Sequence, residues 1–308
     1  MTRPAPQRTT RVIAFSLIWF LAAAPTTAQD KVDDLLLLPD SRIEYSAEDP
    51  ILARTWRRTA NESYRFVNET VSDSWNLLGA PLDWEMREWL LLGGLAGVAT
   101  GFIYGLDNPI RKQALGSSKF HKFGNDIRFL SDGTGLAVLT GGFLLSGMLH
   151  RDKEIETARM LLSASIIGYG ATVVVKRGVG RERPGPHGPR QFDPFSDNFS
   201  MPSGEVSNAF VMATIVSQQY PNWPVRILSY GLATTVGAGR LARDDHWASD
   251  VIVGAAIGTA IGYGVSQFHY ERRAMNTERK KLGLAPKQER VQHSLSASTR
   301  SLQWRMRF

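Results

Sequence analysis

Three short segments concentrate charged residues and glycine at the ends of apolar stretches. They lie at residues 176–184, 202–205 and 239–250. A phosphoryl group in transfer spreads negative charge over three oxygens, so its site needs several cations and N–H donors around it. Taken together, the three segments provide both kinds of group. They predict a site for phosphoryl transfer.

The cations of this predicted site are Lys176, Arg183 and Arg240. An arginine presents a fork that suits two phosphate oxygens at once, which a lysine cannot match. Ser203 and Gly204 precede an apolar stretch and are expected to begin a helix, where N–H groups and the helix dipole favour an anion. Glycine also lets a ligand approach the backbone closely. These five residues are the predicted phosphate-binding set.

His246 and Asp250 are four residues apart, so on a helix they share a face. A carboxylate at one imidazole nitrogen fixes the tautomer and leaves the other nitrogen to attack phosphorus. Each residue alone also fits a structural role, since Asp and Ser cap helices and basic residues favour helix carboxyl ends. The chain has no Cys, and its six His lack the spacing of metal ligands, so we expect no metal and no cofactor.

The order and spacing of these residues resemble the signature of the type 2 phosphatidic acid phosphatase family. Its superfamily includes bacterial nonspecific acid phosphatases and vanadium haloperoxidases. The resemblance spans roughly residues 89 to 268 and implies an all-helical fold, His246 as nucleophile with Asp250 as its partner, and phosphate binding without a metal. The matching residues are Lys176-x6-Arg183-Pro184, Pro202-Ser203-Gly204 and Arg240-x5-His246-x3-Asp250.

Two positions depart from the family pattern. Glu205 stands where the family has a histidine that protonates the leaving group, and Gly239 stands where it often has serine. Nearby cations should lower the pKa of Glu205, which makes it a poor acid. Three hypotheses follow: an acidic pH optimum, a substrate whose leaving group needs little protonation, or binding without turnover. His187 and Asp245 are alternative proton donors.

The rest of the chain predicts the elements that carry this site. Six apolar, Gly- and Ala-rich segments without alternating patterning predict an all-α bundle of about six core helices, resembling the acid phosphatases and haloperoxidases. These segments are Trp89–Tyr104, Gly135–Leu149, Met160–Val175, Ala209–Val216, Ile227–Gly239 and Val251–Val265. Around them we expect a signal peptide at 1–28, a polar lead-in at 29–88, the phosphatase-like domain at 89–270 and a basic tail at 271–308.

The amino terminus predicts export. Arginines at positions 3, 8 and 11 precede an apolar run at 12–24, and small residues follow to Ala28, as in a secretory signal peptide. An uncleaved anchor is the alternative, and either predicts an extracytoplasmic location. If the lead-in is exported and the first three apolar segments all span a membrane, the loop after Val175 lies in the cytoplasm. That loop carries part of the predicted site, and an exported enzyme cannot have part of its site in the cytoplasm. A soluble periplasmic bundle avoids this conflict most simply, and membrane association stays open.

The formal charge of +7 does not indicate a nucleic-acid partner. Residues 271–308 contain ten Lys or Arg and three Glu, so this tail carries the whole excess and the remainder is balanced. The expected partner is a phosphorylated small molecule or lipid. The predicted function is a metal-independent phosphohydrolase acting through phosphohistidine. The alternatives are a degenerate member that binds phosphorylated lipid and a vanadate-dependent haloperoxidase.

Overall fold

The computed structural model describes residues 51–147, 152–284, 292–298 and 301–307. The predicted signal peptide and most of the first half of the lead-in lie outside these residues. Among them are eight helices rather than about six, so the all-α class is confirmed and the helix number is wrong. The helices are α1 (Ile51–Gly79), α2 (Met86–Leu115), α3 (Ser118–Asp126), α4 (Thr134–Gly147), α5 (Asp152–Val179), α6 (Gly204–Gln219), α7 (Trp223–Ala242) and α8 (Ala248–Lys281).

The two additional helices, α1 and α3, contain too many polar residues to stand out as apolar segments. In α3, Ser117 accepts a hydrogen bond from the Phe120 N–H and so caps the helix. Gly124 of α3 lies against α7, where an added Cβ would come within 2.7 Å of Ala242 Cβ. Helix α3 therefore depends on tertiary packing, which a search for apolar runs does not detect.

The contacts along α8 define two ends of the helical bundle. At the amino end of α8, the Ser249 N–H donates to Asp107 of α2 over 2.9 Å. Near its carboxyl end, Arg272 pairs with Asp73 of α1 and His269 lies 3.5 Å from Glu156 of α5. We call these the site end and the far end. The sequence separation along α8 places them about 30 Å apart.

Helices α5, α6 and α8 share the main hydrophobic core. Leu161, Val211, Ile215 and Val265 are buried where these helices meet. Packing between α6 and α8 is unusually close because α8 presents Gly254, Gly258 and Gly262 to it. An added Cβ at Gly258 would lie 2.1 Å from the Ser207 carbonyl oxygen. The spacing of these three glycines, four residues apart, thus serves close contact of two helix backbones.

Three of the helices are long and apolar enough to cross a membrane by length and composition: Met86–Leu115, Lys153–Val179 and Ala248–Lys281. The apolar runs in the sequence underestimated them, because each helix continues through polar residues beyond its apolar run. Large apolar side chains on α2 and α7, such as Leu90, Leu91 and Ile227, are exposed in the bundle. The protein therefore has membrane character, and the expectation of a soluble bundle is not supported.

The chain divides into two compact units, Thr70–Lys287 and Met1–Glu69 with Gln288–Phe308. The first unit contains the core and all three motif segments. Described parts of the second include an antiparallel hairpin of β1 (Gln292–Ser298) and β2 (Ser301–Arg307), with Gln292 opposite Arg307. The boundaries predicted for the polar lead-in and the basic tail remain predictions.

Candidate active site

The amino end of α8 positions the predicted nucleophile. His246 immediately precedes the cap residue Trp247, whose N–H donates to Asp250 Oδ2 over 2.9 Å. The side chains of His246 and Asp250 are fully buried, and His246 Nδ1 lies 3.5 Å from Asp250 Oδ2. The structure therefore places the carboxylate beside Nδ1. This pair lies slightly outside hydrogen-bond geometry.

The opposite ring nitrogen of His246 faces Glu205. His246 Nε2 lies 3.6 Å from Glu205 Oε2, and Arg240 Nη2 lies 3.1 Å from Glu205 Oε1. Glu205 is in the first turn of α6, whereas Arg240 is in the last turn of α7. The starts of α6 and α8 and the end of α7 thus bring an imidazole, a carboxylate and a guanidinium to one place. That Glu205 lies between Arg240 and His246 could not be deduced from the positions of the three residues in the sequence.

Glu205 is ionised in this arrangement. Burial raises the pKa of Glu205, but the neighbouring His246 ring and the positive charge of Arg240 lower it by more than burial raises it. The net result is a pKa of about 2. At 3.6 Å the contact with His246 is too long for a good hydrogen bond, so we attribute the stabilisation mainly to charge. A carboxylate with this pKa has no proton to donate at neutral pH.

The predicted cations reach the same region from separate elements. Lys176, in the last turn of α5, donates to the Phe199 carbonyl over 2.6 Å and interacts electrostatically with Glu205, Arg183 and Arg240. Arg183 is exposed in the loop after α5. Gly180, with φ +57, ends α5 and turns the chain into that loop. The structure therefore brings the three predicted cations into one electrostatic environment.

Ser203 and Gly204 begin α6 as predicted, but the serine side chain does not cap the helix. Ser203 is buried, and its N–H donates to the Asp250 carbonyl over 3.0 Å. An added Cβ at Gly204 would approach Thr172 only to 3.5 Å, which is an ordinary contact. Packing therefore does not require glycine at this position, and the first-turn N–H groups of α6 can be approached closely.

Several buried polar atoms of the motif residues have no hydrogen-bond partner within the described part of the chain. They are Ser203 Oγ, Arg240 Nε and both ring nitrogens of His246. Buried polar groups are normally paired, so a cluster of unpaired ones needs an explanation. An anionic ligand would supply acceptors for those that donate.

Sequence reasoning missed the buried arginine that holds Asp250. Arg181 Nη1 donates to Asp250 Oδ1 over 2.5 Å, and Arg181 Nη2 donates to Asp107 Oδ2 over 2.7 Å. Ser200 Oγ donates to the other oxygen of Asp250 over 2.5 Å. The available signal was a second arginine two positions before Arg183. Nothing in the sequence linked it to Asp107, 74 residues earlier.

The same end of the bundle explains one departure from the family pattern. An added Cβ at Gly239 would lie 2.7 Å from Ile127 Cδ1, at the end of α3, so packing favours glycine there. Of the alternative proton donors, Asp245 pairs with Arg243 over 2.8 Å and with Arg240 over 3.4 Å, and His187 lies 3.2 Å from Glu182. In the described residues, no group of three or more His, Cys, Asp or Glu could hold a metal ion.

Comparison with known proteins agrees with the motifs. Residues 157–274 match the PAP2 superfamily, and this stretch contains every motif residue from Lys176 to Asp250. The lipid A 1-phosphatase of Porphyromonas gingivalis is 27% identical over 166 residues, which are 52% of this chain and 34% of that protein. The match thus spans about a third of the relative's length.

Two solved structures are also similar. LpxE of Aquifex aeolicus has a TM-score of 0.43 and 21% identity, covering 53% of this chain and 96% of that one. A transmembrane PAP2 type phosphatidylglycerolphosphate phosphatase from Bacillus subtilis has a TM-score of 0.45 and 18% identity, covering 61% of this chain and 98% of that one. The match of residues 157–274 to the PAP2 superfamily confirms the resemblance carried by the three motifs.

Proposed function

We propose that this protein is a metal-independent phosphohydrolase that removes phosphate from a phosphorylated lipid through a phosphohistidine at His246. The orientation of the His246 ring carries the proposal. Nδ1 faces the buried carboxylate of Asp250, while Nε2 faces Glu205, which is paired with Arg240. A carboxylate at one ring nitrogen leaves the other free to attack phosphorus, and Arg240 is a cation near that side of the ring for an anionic phosphate.

In the proposed reaction, His246 Nε2 forms a bond to phosphorus while the bond from phosphorus to the leaving oxygen breaks. Asp250 stabilises the resulting positive charge on the ring. Lys176, Arg183, Arg240 and the Ser203–Gly204 backbone bind the phosphate oxygens, whose charge spreads in the transition state. A water molecule then attacks phosphorus, the bond to Nε2 breaks, and inorganic phosphate leaves.

Glu205 gives the proposed site a negative charge where the family has a histidine that can donate a proton. Because its pKa is about 2, it stays an anion at working pH and competes with phosphate for Arg240. This disfavours the hypothesis that mild acid activates the enzyme by protonating Glu205. Retained activity then needs a leaving group that requires little protonation, such as a phosphate, or a proton from water. General acid catalysis supplies about 10²–10⁴-fold, so its absence need not abolish turnover.

A lipid substrate and an extracytoplasmic site complete the proposal. The similarity to a lipid A 1-phosphatase and the exposed apolar helices around the site favour a lipid phosphate over a soluble ester. The arginines followed by an apolar run at the amino terminus support export, although these residues lie outside the described part of the chain.

The test measures phosphate release by purified protein in detergent from a lipid monophosphate and a lipid diphosphate between pH 4 and 9. We expect the wild type to release phosphate and His246→Ala to lose at least about 10³-fold in kcat, as removal of a nucleophile does. His269→Ala is the matched control, because this partly paired histidine lies on α8 at the far end. Trapping with radiolabelled substrate should yield acid-labile phosphohistidine. Full activity of His246→Ala would contradict the proposal.

A second candidate function, binding of phosphorylated lipid without turnover, is favoured by the ion pair between Glu205 and Arg240. Glu205→His distinguishes it. If the wild type is inert and this variant gains activity, the site is intact and the protein is a binder. If the wild type is active, the binder hypothesis is wrong.

A further inference from the structure

We propose that Arg181 and Asp107 are positioning residues that act on His246 through Asp250. Together with Asp250 they form a buried network that orients this carboxylate and leaves one negative charge to favour a protonated His246 ring. The inference rests on the proposed function only where it concerns the reaction rate. Its effect on the His246 ring can be measured whether or not the protein turns over substrate.

The network is assembled from three separate parts of the chain. Arg181 follows α5, Asp107 belongs to α2, and Asp250 lies in the first turn of α8. All three side chains have no exposed surface. Arg181 also donates to the Pro189 carbonyl, from Nε over 3.0 Å and from Nη2 over 2.8 Å. Its guanidinium is thereby held from several sides in one orientation.

Ser249 completes the connection between the two carboxylates. Its N–H donates to Asp107 Oδ1 over 2.9 Å, and its hydroxyl donates to Asp107 Oδ2 over 2.6 Å while accepting from Arg181 Nη1 over 2.6 Å. Helix α2 therefore fixes the first turn of α8, immediately after His246. Asp107 directly follows a π-helical turn at Phe102–Leu106, a local irregularity often found at functional sites.

The formal charges in this network do not cancel. Asp107 and Asp250 contribute two negative charges and Arg181 contributes one positive charge, so one buried negative charge remains. An uncompensated buried charge is unfavourable, and a positive charge beside it relieves the cost. His246 Nδ1 lies 3.5 Å from Asp250 Oδ2, so its ring is the group positioned to supply that charge. Phosphohistidine formation creates such a charge on the ring.

Other charged groups also face His246 and set the background for this effect. Glu205 favours the protonated ring from α6. Arg240 of α7 pairs with Glu205, and Lys176 of α5 interacts electrostatically with Glu205 and Asp250, so these two cations oppose the protonated ring through its carboxylate neighbours. Asp245 precedes His246 but pairs with Arg240 and Arg243. The contribution of Asp107 differs from these because it reaches His246 only through Arg181 and Asp250. No direct contact with a substrate is required for it.

The experiment follows the titration of the His246 ring by NMR, using histidine-labelled protein in detergent micelles. The His246 resonance is assigned as the one that disappears in His246→Ala. Asp107→Asn is nearly isosteric and removes one negative charge, so we expect the titration midpoint to fall by about one pH unit. Asp73→Asn is the matched control: this buried carboxylate also pairs with an arginine, Arg272, but at the far end. It should leave the His246 midpoint unchanged.

Arg181→Gln provides an independent second variant with the opposite sign. Removing the guanidinium leaves two uncompensated carboxylates, so the His246 midpoint should rise. In an active protein, both variants should lower kcat more than they raise KM. Asp107→Asn removes negative charge that supports the ring, whereas Arg181→Gln removes the hydrogen bond that orients Asp250. A merely structural role predicts no such opposite shifts. Midpoints in Asp107→Asn and Arg181→Gln that match the Asp73→Asn control would overturn the inference.

The proposed function and this inference can fail separately. An inert wild type with shifted midpoints contradicts the phosphatase proposal and supports the network. An active wild type with unshifted midpoints supports the phosphatase and contradicts the network.

Discussion

Glu205 is the residue at which this site differs chemically from the family it resembles. Its carboxylate lies between Arg240 and His246, where it neutralises a cation that the proposed reaction uses for phosphate. The sequence predicted a lowered pKa from nearby cations, and the structure identifies Arg240 and the His246 ring as the neighbours responsible. Glu205 thus places a fixed negative charge beside two of the predicted site residues.

We expect Glu205→Gln to bind inorganic phosphate or vanadate about 10-fold more tightly, because the competing negative charge is removed while the side-chain volume is kept. The measurement is the inhibition constant against a chromogenic phosphate ester, or direct calorimetry if turnover is absent. Glu154→Gln on α5 is the control, since this acidic residue lies outside the three motifs. Weaker binding in Glu205→Gln would show that the carboxylate supports the ligand instead of competing with it.

The lowered pKa of Glu205 also sets a pH window for stability. A carboxyl group with a depressed pKa in the folded state contributes stability above its unfolded pKa, about 4.3, and loses it as pH falls toward about 2. Between pH 5 and 9 the ionised Glu205 therefore adds no pH dependence. A pH optimum in that range has to arise from other groups.

At the scale of elements, the contact between α6 and α8 decides the geometry of the site. Helix α6 carries Ser203 and Glu205 at its start, whereas α8 follows His246 and carries Asp250. Their close approach depends on glycines of α8 that lie against backbone atoms of α6. The glycines therefore set the distance between the predicted site residues of α6 and α8 as well as packing the core.

We expect Gly258→Ala to destabilise the protein by about 1–3 kcal/mol, because the new methyl group meets the Ser207 carbonyl, which cannot rotate away as a side chain could. Thermal unfolding in detergent measures this loss, and phosphate release should fall with it. Gly231→Ala in α7 is the control, since its added Cβ has nothing within 4 Å and alanine favours helix. Equal stability of the two variants would disprove the tight contact.

At the scale of the whole molecule, the site and the residues just before α2 lie at opposite ends of the bundle. Asp107 and Arg111 of α2 lie at the site end, where Arg111 pairs with Asp244 over 2.7 Å. The carboxyl-terminal part of α1 lies at the far end, where Leu77 approaches Gly264. If the bundle crosses a membrane, its site and the residues just before α2 face opposite sides.

Cysteine labelling tests this arrangement directly, because the natural sequence contains no Cys. Ser118→Cys places an exposed thiol at the site end, and Asp83→Cys places one just before α2. With an extracytoplasmic site, a membrane-impermeant reagent applied to whole cells should label Ser118→Cys and spare Asp83→Cys. Lysed cells, in which both should react, are the control.

Each other outcome of the labelling has a definite meaning. Labelling of both positions in whole cells would contradict a membrane-spanning bundle, and labelling of Asp83→Cys alone would place the site in the cytoplasm. The expected result places the residues just before α2 in the cytoplasm. Together with an exported amino terminus, it requires the chain to cross the membrane before Asp83.

The sequence by itself determined the all-α class, the six apolar helices and the resemblance to the PAP2 superfamily, because these depend on local composition and on fixed spacings within short motifs. The glycine spacing Gly254, Gly258 and Gly262 permits close packing of α8, but it does not identify α6 as the partner. The extent of α1 and the existence of α3 were not foreseeable, since polar helices gain their stability from packing that local sequence does not describe.

Only the tertiary structure decided which charged groups meet. Asp107, Arg181 and Asp250 come from three distant parts of the chain, and Glu205 finds both Arg240 and His246 only when three helices converge. Helix lengths likewise became clear only when polar residues proved to continue the apolar runs. Local spacing determines which residues share a helix face, whereas contacts across a bundle depend on how helices pack. For this reason the motifs could be identified from the sequence, whereas the network of Asp107, Arg181 and Asp250 could not.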